Sequence, residues 1–396
     1  MSFEIFDVIV FGGGIVGLTS ANLLAKLGLS VALIEAKPPI LEWNEQQYDF
    51  RCSAISRSSQ KIFQQIEIWD EIITNRISPY RQMVVWDKEG FGEITFDAKE
   101  VTEPDLGHII ENRVMIKALW THALKKPNVK IISPAIAKTF QSEKDHVVIV
   151  LEHQHHLQAK LVIGADGAQS WIRQAAGIKV MQEDYHQSAL VATVQSELPH
   201  QEIAWQRFLP DGPLAFLPLT PPDTSSIVWT SSSEEAKELI ALDDEQFCKT
   251  LAHAFDYRLG KIFRTSDRKH FPLHGLHAKQ YVLDRVVIIG DAAHVIHPLA
   301  GQGLNLGLND AITLSDILSK AQQGDYDIGH YLVLRKYERA RKGNVFSTMM
   351  AMTFLKNLFG STNSNVSILR SVALNCVNQN QFLKKKIISE AMGIGG

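Results

Sequence analysis

The chain has 396 residues, 45% of them hydrophobic, and a formal net charge of −3. This length and apolar content are enough for a large core and predict two domains. Because positive and negative charges nearly balance, the composition indicates neither a nucleic-acid partner nor a field that attracts acidic substrates.

The cysteines and the apolar segments narrow the class further. Cys52, Cys248 and Cys376 are far apart and form no Cys-x-x-Cys pair. This excludes a disulfide framework, argues against a zinc or iron–sulfur site and fits a reducing compartment. The N-terminus carries Glu4 and Asp7 without a basic leader, so we expect no signal peptide. With no apolar run of about 18 residues, we expect a cytoplasmic globular protein without a membrane span.

A glycine-rich loop follows the first apolar run of the chain. The run ends at Phe11, and Gly12, Gly14 and Gly17 then form a Gly-x-Gly-x-x-Gly loop that leads into a helical pattern. A second apolar run ends on Glu35. In this order the residues predict a strand–helix–strand unit that binds a dinucleotide, with phosphates at the helix N-terminus and the acid on a ribose hydroxyl. The acid favours FAD or NAD over NADP, and the loop leaves the choice between those two open.

The middle of the chain alternates between two kinds of pattern. Arg51 precedes a helical pattern, where it is either solvated or capping, or else bridges to the phosphates. Residues 83–87 and 92–96 flank Lys88-Glu89-Gly90 and predict a hairpin. Residues 129–132, 135–141 and 146–152 resemble successive strands of a small meander. Apolar runs over residues 189–230 predict a second sheet, the floor of a substrate pocket, and residues 234–255 predict a helix.

These alternations predict a fold of α/β class whose nucleotide domain is discontinuous. We assign residues 1–80, 98–180 and 276–345 to a Rossmann-like dinucleotide-binding domain, for which the resemblance described below implies FAD, and residues 81–97 and 181–275 to a mixed β-sheet substrate domain. Residues 346–396 form a helical C-terminal region.

Two later segments bear on the nucleotide. Asp166 and Gly167 end an apolar strand, with Ser170 and Arg173 close behind. They either place polar groups beside the nucleotide or form an ordinary turn with Ser170 near a helix N-cap. Gly290 and Asp291 end another strand, and Gly301 and Gly303 precede a helix predicted over residues 304–321. An acid there can accept hydrogen bonds from a polyol such as the ribityl chain of a flavin, and the helix N-terminus can stabilise a reduced flavin.

The three motifs together resemble the flavoprotein aromatic hydroxylases, whose prototype is para-hydroxybenzoate hydroxylase. The finer resemblance is to the ubiquinone-biosynthesis branch of UbiH and VisC type hydroxylases. It is carried by residues 50–56, 110–114, 208–219 and 290–309, and it covers roughly residues 5–340. One departure is Cys52, where the family usually has valine or isoleucine after the arginine. The resemblance implies a fold of GR2 type and FAD as the resident cofactor.

The resemblance also implies roles for individual residues. Those implied to bind FAD are Gly12, Gly14, Gly17 and Glu35 on the adenosine half, Arg51, Asn112 and Arg113 on the pyrophosphate and flavin sides, Gly290 and Asp291 at the ribityl and pyrophosphate region, and Pro298, Gly301, Gly303 and Asn305 against the ring. Asp166, Gly167 and Arg173 belong to a segment linked to both flavin and pyridine nucleotide. Since no second dinucleotide fold is apparent, NAD(P)H is expected to bind only transiently.

The implied activity is hydroxylation of the aromatic ring of a polyprenylated phenol. Reduced flavin would add dioxygen to form a hydroperoxide that the phenol attacks. Proton removal from the phenol needs a base, and His297, directly before Pro298, is the candidate; the alternative is a structural or solvated histidine. His294 lies three residues earlier, but without a third ligand we expect no metal site. Alternatives are another phenolic or lipid substrate, or an FAD-binding component of a biosynthetic complex without turnover.

The C-terminal residues suggest where the hydrophobic substrate goes. Residues 345–358 are rich in Met and Phe, and Lys384, Lys385 and Lys386 follow a second apolar stretch. Such a pattern is typical either of a surface that contacts anionic lipid at the inner face of a membrane, or a partner protein, or of helices packed on the core. Other ubiquinone-biosynthesis proteins are the expected partners.

Overall fold

The computed structural model describes residues 3–88, 92–298, 301–360 and 363–395. The predicted turn at residues 89–90 and the motif residues 299–300 therefore lie outside the described residues. In chain order the strands are β1 (Phe3–Phe11), β2 (Val31–Ile34), β3 (Cys52–Ser56), β4 (Ile77–Tyr80), β5 (Gln82–Asp87), β6 (Glu93–Asp97), β7 (Gly107–Glu111), β8 (Val129–Ile132), β9 (Ala137–Ser142), β10 (Val147–Leu151), β11 (His156–Gly164), β12 (Val180–Ser196), β13 (Ile203–Leu209), β14 (Gly212–Pro218), β15 (Thr224–Ser232), β16 (Ile262–Thr265), β17 (Lys269–Ala278), β18 (Val282–Leu283), β19 (Val286–Ile288) and β20 (His294–Val295).

The helices are α1 (Ile15–Lys26), α2 (Arg57–Ile66), α3 (Trp69–Ile73), α4 (Asn112–Leu124), α5 (Trp171–Ala175), α6 (Ser233–Ala241), α7 (Asp244–Ala254), α8 (Gly303–Gln323), α9 (Tyr331–Phe359), α10 (Ser364–Gln379) and α11 (Gln381–Met392). The helix predicted over residues 234–255 is two helices, α6 and α7. It breaks because the Asp243 side chain caps the second helix by accepting the Gln246 N–H at 2.8 Å.

The first sheet has the order β18-β19-β11-β1-β2-β8, with β9 and β10 added as an antiparallel pair beside β11. Its central neighbours are parallel, with Val8 opposite Val31 and Leu161. Helix α1 packs on β1 and β2, and Val8, Ile9 and Val10 are fully buried, which is why β1 reads as an unbroken apolar run. The predicted meander is wrong for residues 129–132, because β8 pairs in parallel with β2 rather than with β9.

The second sheet has nine strands in the order β20-β17-β12-β15-β14-β13-β5-β6, with β16 beside β12. The predicted hairpin forms its edge: β5 and β6 are antiparallel, and β5 is parallel to β13. Helices α6 and α7 cover one face around Phe216, Trp229 and Phe247, while the other face is turned to the cavity described below. A three-stranded sheet, β3-β7-β4, also belongs to the fold. The predicted α/β class with a second mixed sheet and a helical C-terminus is confirmed.

Helices α9, α10 and α11 complete the fold. Phe359 of α9 stacks on Phe208 of β13 at 3.7 Å between ring centroids, and Ile388 of α11 packs near Leu106. Within the described ranges, no helix combines the length and the apolar character needed to cross a bilayer.

Candidate active site

The glycines of the first loop meet three different demands. Gly12 has φ of 103°, and a Cβ there would overlap the Ala165 carbonyl oxygen. A Cβ at Gly17 would overlap the Gly12 carbonyl oxygen, so this glycine permits close packing of helix on strand. Gly14 has ordinary backbone angles, and a Cβ there would meet no atom within 4 Å. Space in front of Gly14 is therefore open toward the N-terminus of α1, which no side chain caps.

Glu35 lies beside this loop at the end of β2. Its carboxylate accepts the Gly13 N–H at 2.5 Å and the Lys37 N–H at 2.8 Å. A Cβ on Gly13 would crowd the Glu35 side chain at 2.9 Å. The acid thus orders the loop backbone as well as bordering the cavity, a contact that the sequence motif alone does not reveal.

One large cavity of about 2000 Å³ begins at this loop. Small-molecule sites usually measure roughly 300–1,000 Å³, so this cavity has room for a dinucleotide and a second ligand. It passes the edge of the first sheet, continues below the second sheet and reaches α9, α10 and α11. The predicted site residues that border it are Gly12, Gly14, Glu35, Arg51, Asn112, Asp166, Gly167, Asp291, Pro298, Gly301, Gly303 and Asn305.

Two opposite charges face the middle of the cavity. The Arg51 guanidinium lies 5.3 Å from the Phe271 ring centroid, and no hydrogen-bond partner for it is found in the part of the chain that the structure describes. The Asp291 side chain is exposed to the cavity, and desolvation by the protein atoms around it raises its pKa despite the opposing charges of His294 and Arg51. Both groups are available to a ligand.

A buried ionic network holds the loop that carries Asp291. Asp310 of α8 accepts the Gly290 N–H at 3.0 Å, bonds to His294 Nε2 at 2.6 Å and accepts Arg341 Nε at 2.7 Å. Burial opposes ionisation, but His294 and Arg341 hold the pKa of Asp310 below its ordinary value. Sequence reasoning missed this network; the only signal was an acid, Asp310, spaced three and four residues from the buried Gly307 and Leu314 on one side of α8.

The amide side chains of Asn305 and Asn112 join several elements around the cavity. Asn305 donates to the Ala54 carbonyl at 2.9 Å and accepts the Ser56 N–H at 3.1 Å and the Ser59 hydroxyl at 2.7 Å. Its side chain therefore fastens the start of α8 to β3 and α2. Asn112 accepts the Ser53 hydroxyl at 2.7 Å and also borders the cavity.

The segment after β11 forms a capped helix start. The Asp166 carboxylate accepts the Trp171 N–H at 2.6 Å, the Ile172 N–H at 3.2 Å and the Ser170 hydroxyl at 2.5 Å. Arg173 donates to the carbonyls of Ala292 and Ala168. These bonds match the turn interpretation of the segment, while Gly167 remains open to the cavity.

Five predicted residues do not border the cavity: Gly17, Arg113, Arg173, Gly290 and His297. Arg113 pairs with Glu111 at 2.6 Å and lies 4.7 Å from the Trp43 ring centroid. Gly17, Arg173 and Gly290 act on the backbone around the cavity, as described above.

His297 is buried behind Pro298. Its Nε2 bonds to Gln187 of β12 at 3.0 Å, and its ring centroid lies 4.8 Å from that of Tyr185. Burial, with Lys356 nearby, lowers its pKa to about 4, so the imidazole is neutral near pH 7. The neighbouring His294 is engaged with Asp310, and the described residues contain no group of three His, Cys, Asp or Glu side chains suited to a metal ion.

Comparison with known proteins shows the family of the chain. The sequence profile described as "FAD binding domain" matches residues 6–350. The chain is 35% identical over 388 residues to "3-demethoxyubiquinol 3-hydroxylase" of Escherichia coli (strain K12), covering 98% of each chain. It is 35% identical to "Ubiquinone biosynthesis monooxygenase COQ6, mitochondrial" of Homo sapiens, covering 98% of this chain and 92% of that one.

A solved structure has the same fold. p-Nitrophenol 4-monooxygenase PnpA from Pseudomonas putida DLL-E4 superposes with a TM-score of 0.81 at 18% identity, covering 100% of this chain and 99% of that one. At this identity the likeness concerns the fold alone. The profile match and the full-length relatives establish the family: the chain belongs to the FAD-binding monooxygenases that include the ubiquinone-biosynthesis hydroxylases.

Proposed function

We propose that this FAD-dependent monooxygenase hydroxylates the aromatic ring of a polyprenylated phenol in ubiquinone biosynthesis, using NAD(P)H and dioxygen. The observation that carries the proposal is the continuity of the cavity from the glycine loop to an apolar chamber between the second sheet and α9–α11. A site for a small polar phenol would not need that chamber. The names of the full-length relatives support the same pathway.

The residues around the loop fit FAD. Open space in front of Gly14, the uncapped N-terminus of α1 and the Arg51 guanidinium suit a pyrophosphate. We assign Gly12, Gly14, Gly17 and Glu35 to the adenosine half. Arg51, Asn112 and Asp291 would contact the pyrophosphate and ribityl region, and Pro298, Gly301, Gly303 and Asn305 would lie against the ring. Asp166 and Gly167 border the same cavity, and Asp166 also holds the start of α5, whereas Arg113, Arg173 and Gly290 would support the loops.

When bound, FAD supplies the activation of dioxygen for transfer of one oxygen atom to an aromatic ring. The chain itself orients the phenol and keeps bulk water from the reacting atoms, and the apolar walls Val191, Val228 and Leu217 suit that task. His297 does not border the cavity and has a pKa of about 4. We therefore propose that it positions Pro298 through its bond to Gln187, with proton removal from the phenol as the alternative role.

The division into domains and the membrane contact are also proposals. We retain residues 1–80, 98–180 and 276–345 as the FAD-binding domain, 81–97 and 181–275 as the substrate domain and 346–396 as the C-terminal region. Phe346, Met350 and Phe354 are more than half exposed on neighbouring turns of α9. Together with Lys385 and Lys386 they suit peripheral contact with anionic lipid or with another ubiquinone-biosynthesis protein.

The proposal is tested with purified holoprotein, NAD(P)H, labelled dioxygen and a prenylated phenol. We expect a product that carries one labelled oxygen atom on the ring, and a deletion strain should accumulate the substrate that lacks this hydroxyl. NAD(P)H oxidation that yields only hydrogen peroxide, with unchanged quinone in the deletion strain, would contradict the proposal. If a variant unable to bind FAD restored quinone, the chain would act as an assembly component instead.

A further inference from the structure

The far end of the cavity opens beside α11. This helix packs one side on the protein: Ile388 and Met392 lie among Ala98 and Leu106, and Lys384 pairs with Glu100 at 2.7 Å. On an adjacent side, Leu383 and Ile387 border the cavity although 39% and 38% of their surface is exposed. Large aliphatic side chains are thus left at the boundary between cavity and solvent.

The wall leading to that opening is apolar over three elements. Met352 and Leu355 of α9, Leu374 and Val377 of α10 and Phe96 of β6 all border the cavity there. A ligand group that crosses this wall gains little from hydrogen bonding and much from burying hydrocarbon. An alkyl or prenyl chain is such a group. A phenol ring with its hydroxyl is short and polar at one end, and it does not need a long apolar wall.

One wall of the opening is fixed to the sheet. Arg370 of α10 donates Nε to Asp87 of β5 at 2.7 Å and Nη1 to the carbonyls of Leu358 and Phe359 at 2.7 and 3.1 Å. This buried guanidinium joins the end of α9, the middle of α10 and the end of β5, so the apolar wall keeps its place. Lys386 and Glu390 form a charged rim on α11.

We infer that the polyprenyl tail of the substrate runs along this wall and leaves the protein between α9, α10 and α11, and that Leu383 and Ile387 set the preference for a tailed substrate. The inference rests on the proposed function, because it names the route of the substrate's tail. The reacting ring then lies near Pro298. The tail spans the distance from there to the opening beside Leu383 and Ile387, which we call the mouth.

The test compares two ligands that share one aromatic ring, one with a long prenyl tail and one without a tail. Binding of each to the FAD-loaded protein is measured by calorimetry for the wild type and for Leu383→Glu and Ile387→Glu. A carboxylate at the mouth must be desolvated by a passing hydrocarbon, so we expect affinity for the tailed ligand to fall about tenfold or more. Affinity for the tailless ligand should stay within about twofold, since its binding buries no surface at the mouth.

Phe382→Glu is the matched control. Phe382 neighbours the mouth in sequence and is 81% exposed, but it does not border the cavity. The control should bind both ligands as the wild type does. A control that loses the tailed ligand as strongly as the mouth variants would assign the effect to the surface of α11 and overturn the inference.

Two further outcomes also overturn it. One is a wild type that binds the tailed ligand no more tightly than the tailless one, and the other is a mouth variant that weakens both equally. Turnover is scored separately: a wild type that binds the tailed ligand through the mouth but does not hydroxylate it refutes the proposed function and leaves the tail route supported.

Discussion

Replacing Gly14 with valine separates cofactor binding from folding. Gly14 has φ of −74° and ψ of 176°, which valine adopts without strain, and a Cβ there meets no protein atom within 4 Å. The loss of a glycine N-cap costs about 0.5–1 kcal/mol, and the reduced freedom of the unfolded chain returns about 0.4–1 kcal/mol. The apoprotein should therefore keep its free energy of unfolding to within about 1 kcal/mol, because these two contributions nearly cancel.

The methyl groups of valine at position 14 would project into the space proposed for the pyrophosphate. The Gly14→Val protein should purify without flavin, and its unfolding midpoint should not respond to added FAD. For the wild type, FAD at 100 times its Kd should raise the free energy of unfolding by about 2.7 kcal/mol. Visible absorbance per mole of protein and thermal unfolding with and without FAD measure both quantities.

Gly343→Val is the control, since a Cβ at this glycine of α9 also meets nothing within 4 Å but the residue does not border the cavity. It should retain flavin. A Gly14→Val protein that stays yellow would refute the placement of FAD at this loop. A Gly14→Val protein that is unfolded without FAD would refute the conclusion that valine fits at position 14 without contacting the protein.

The remaining predictions concern packing, charge and pH. Gly17→Ala should destabilise even the apoprotein by about 1–3 kcal/mol, seen in denaturant unfolding, since its Cβ overlaps backbone. Asp310→Asn leaves a buried guanidinium uncompensated and should cost about 3–5 kcal/mol and speed flavin loss, whereas exposed Asp316→Asn should not. The pKa of His297 is lowered to about 4, below its unfolded value, so the stability that it contributes above about pH 6.5 is lost as pH falls toward 4. His297→Asn should flatten that dependence by up to about 1.4 kcal/mol per pH unit, and exposed His186→Asn should leave it unchanged.

The nucleotide loop was predictable because its chemistry is local. Gly12 and Gly17 permit close backbone contacts within one strand–turn–helix unit, Gly14 leaves open space at its helix start, and the spacing of that unit is visible in the chain. The hairpin of β5 and β6 was predictable for the same reason, since period-two runs on either side of a turn pair with each other. Residues 129–132 were misplaced because a four-residue apolar strand carries no signal of whether its partner is parallel and distant or antiparallel and near.

The support of the site was not predictable, because it depends on contacts between residues far apart in sequence. Asp310 contacts Gly290 and Arg341 from 20 and 31 residues away, and Asn305 reaches Ser56 across 249 residues. A single acid or amide in a helix gives no indication of which distant donor it will meet. The motif therefore pointed to Asp291, which borders the cavity, while the groups that hold its loop became visible only in the fold.

The same distinction decides the role of His297. Its position directly before Pro298 suggested a base in contact with the substrate, since sequence adjacency implies proximity of backbones. Adjacent side chains need not face the same way, however, and here Pro298 borders the cavity while His297 turns toward Gln187 and Tyr185. Burial on that side lowers the pKa of His297 to about 4, which makes the imidazole a weak base near neutral pH. A group so placed favours the proposed positioning of Pro298 over direct proton removal from the substrate.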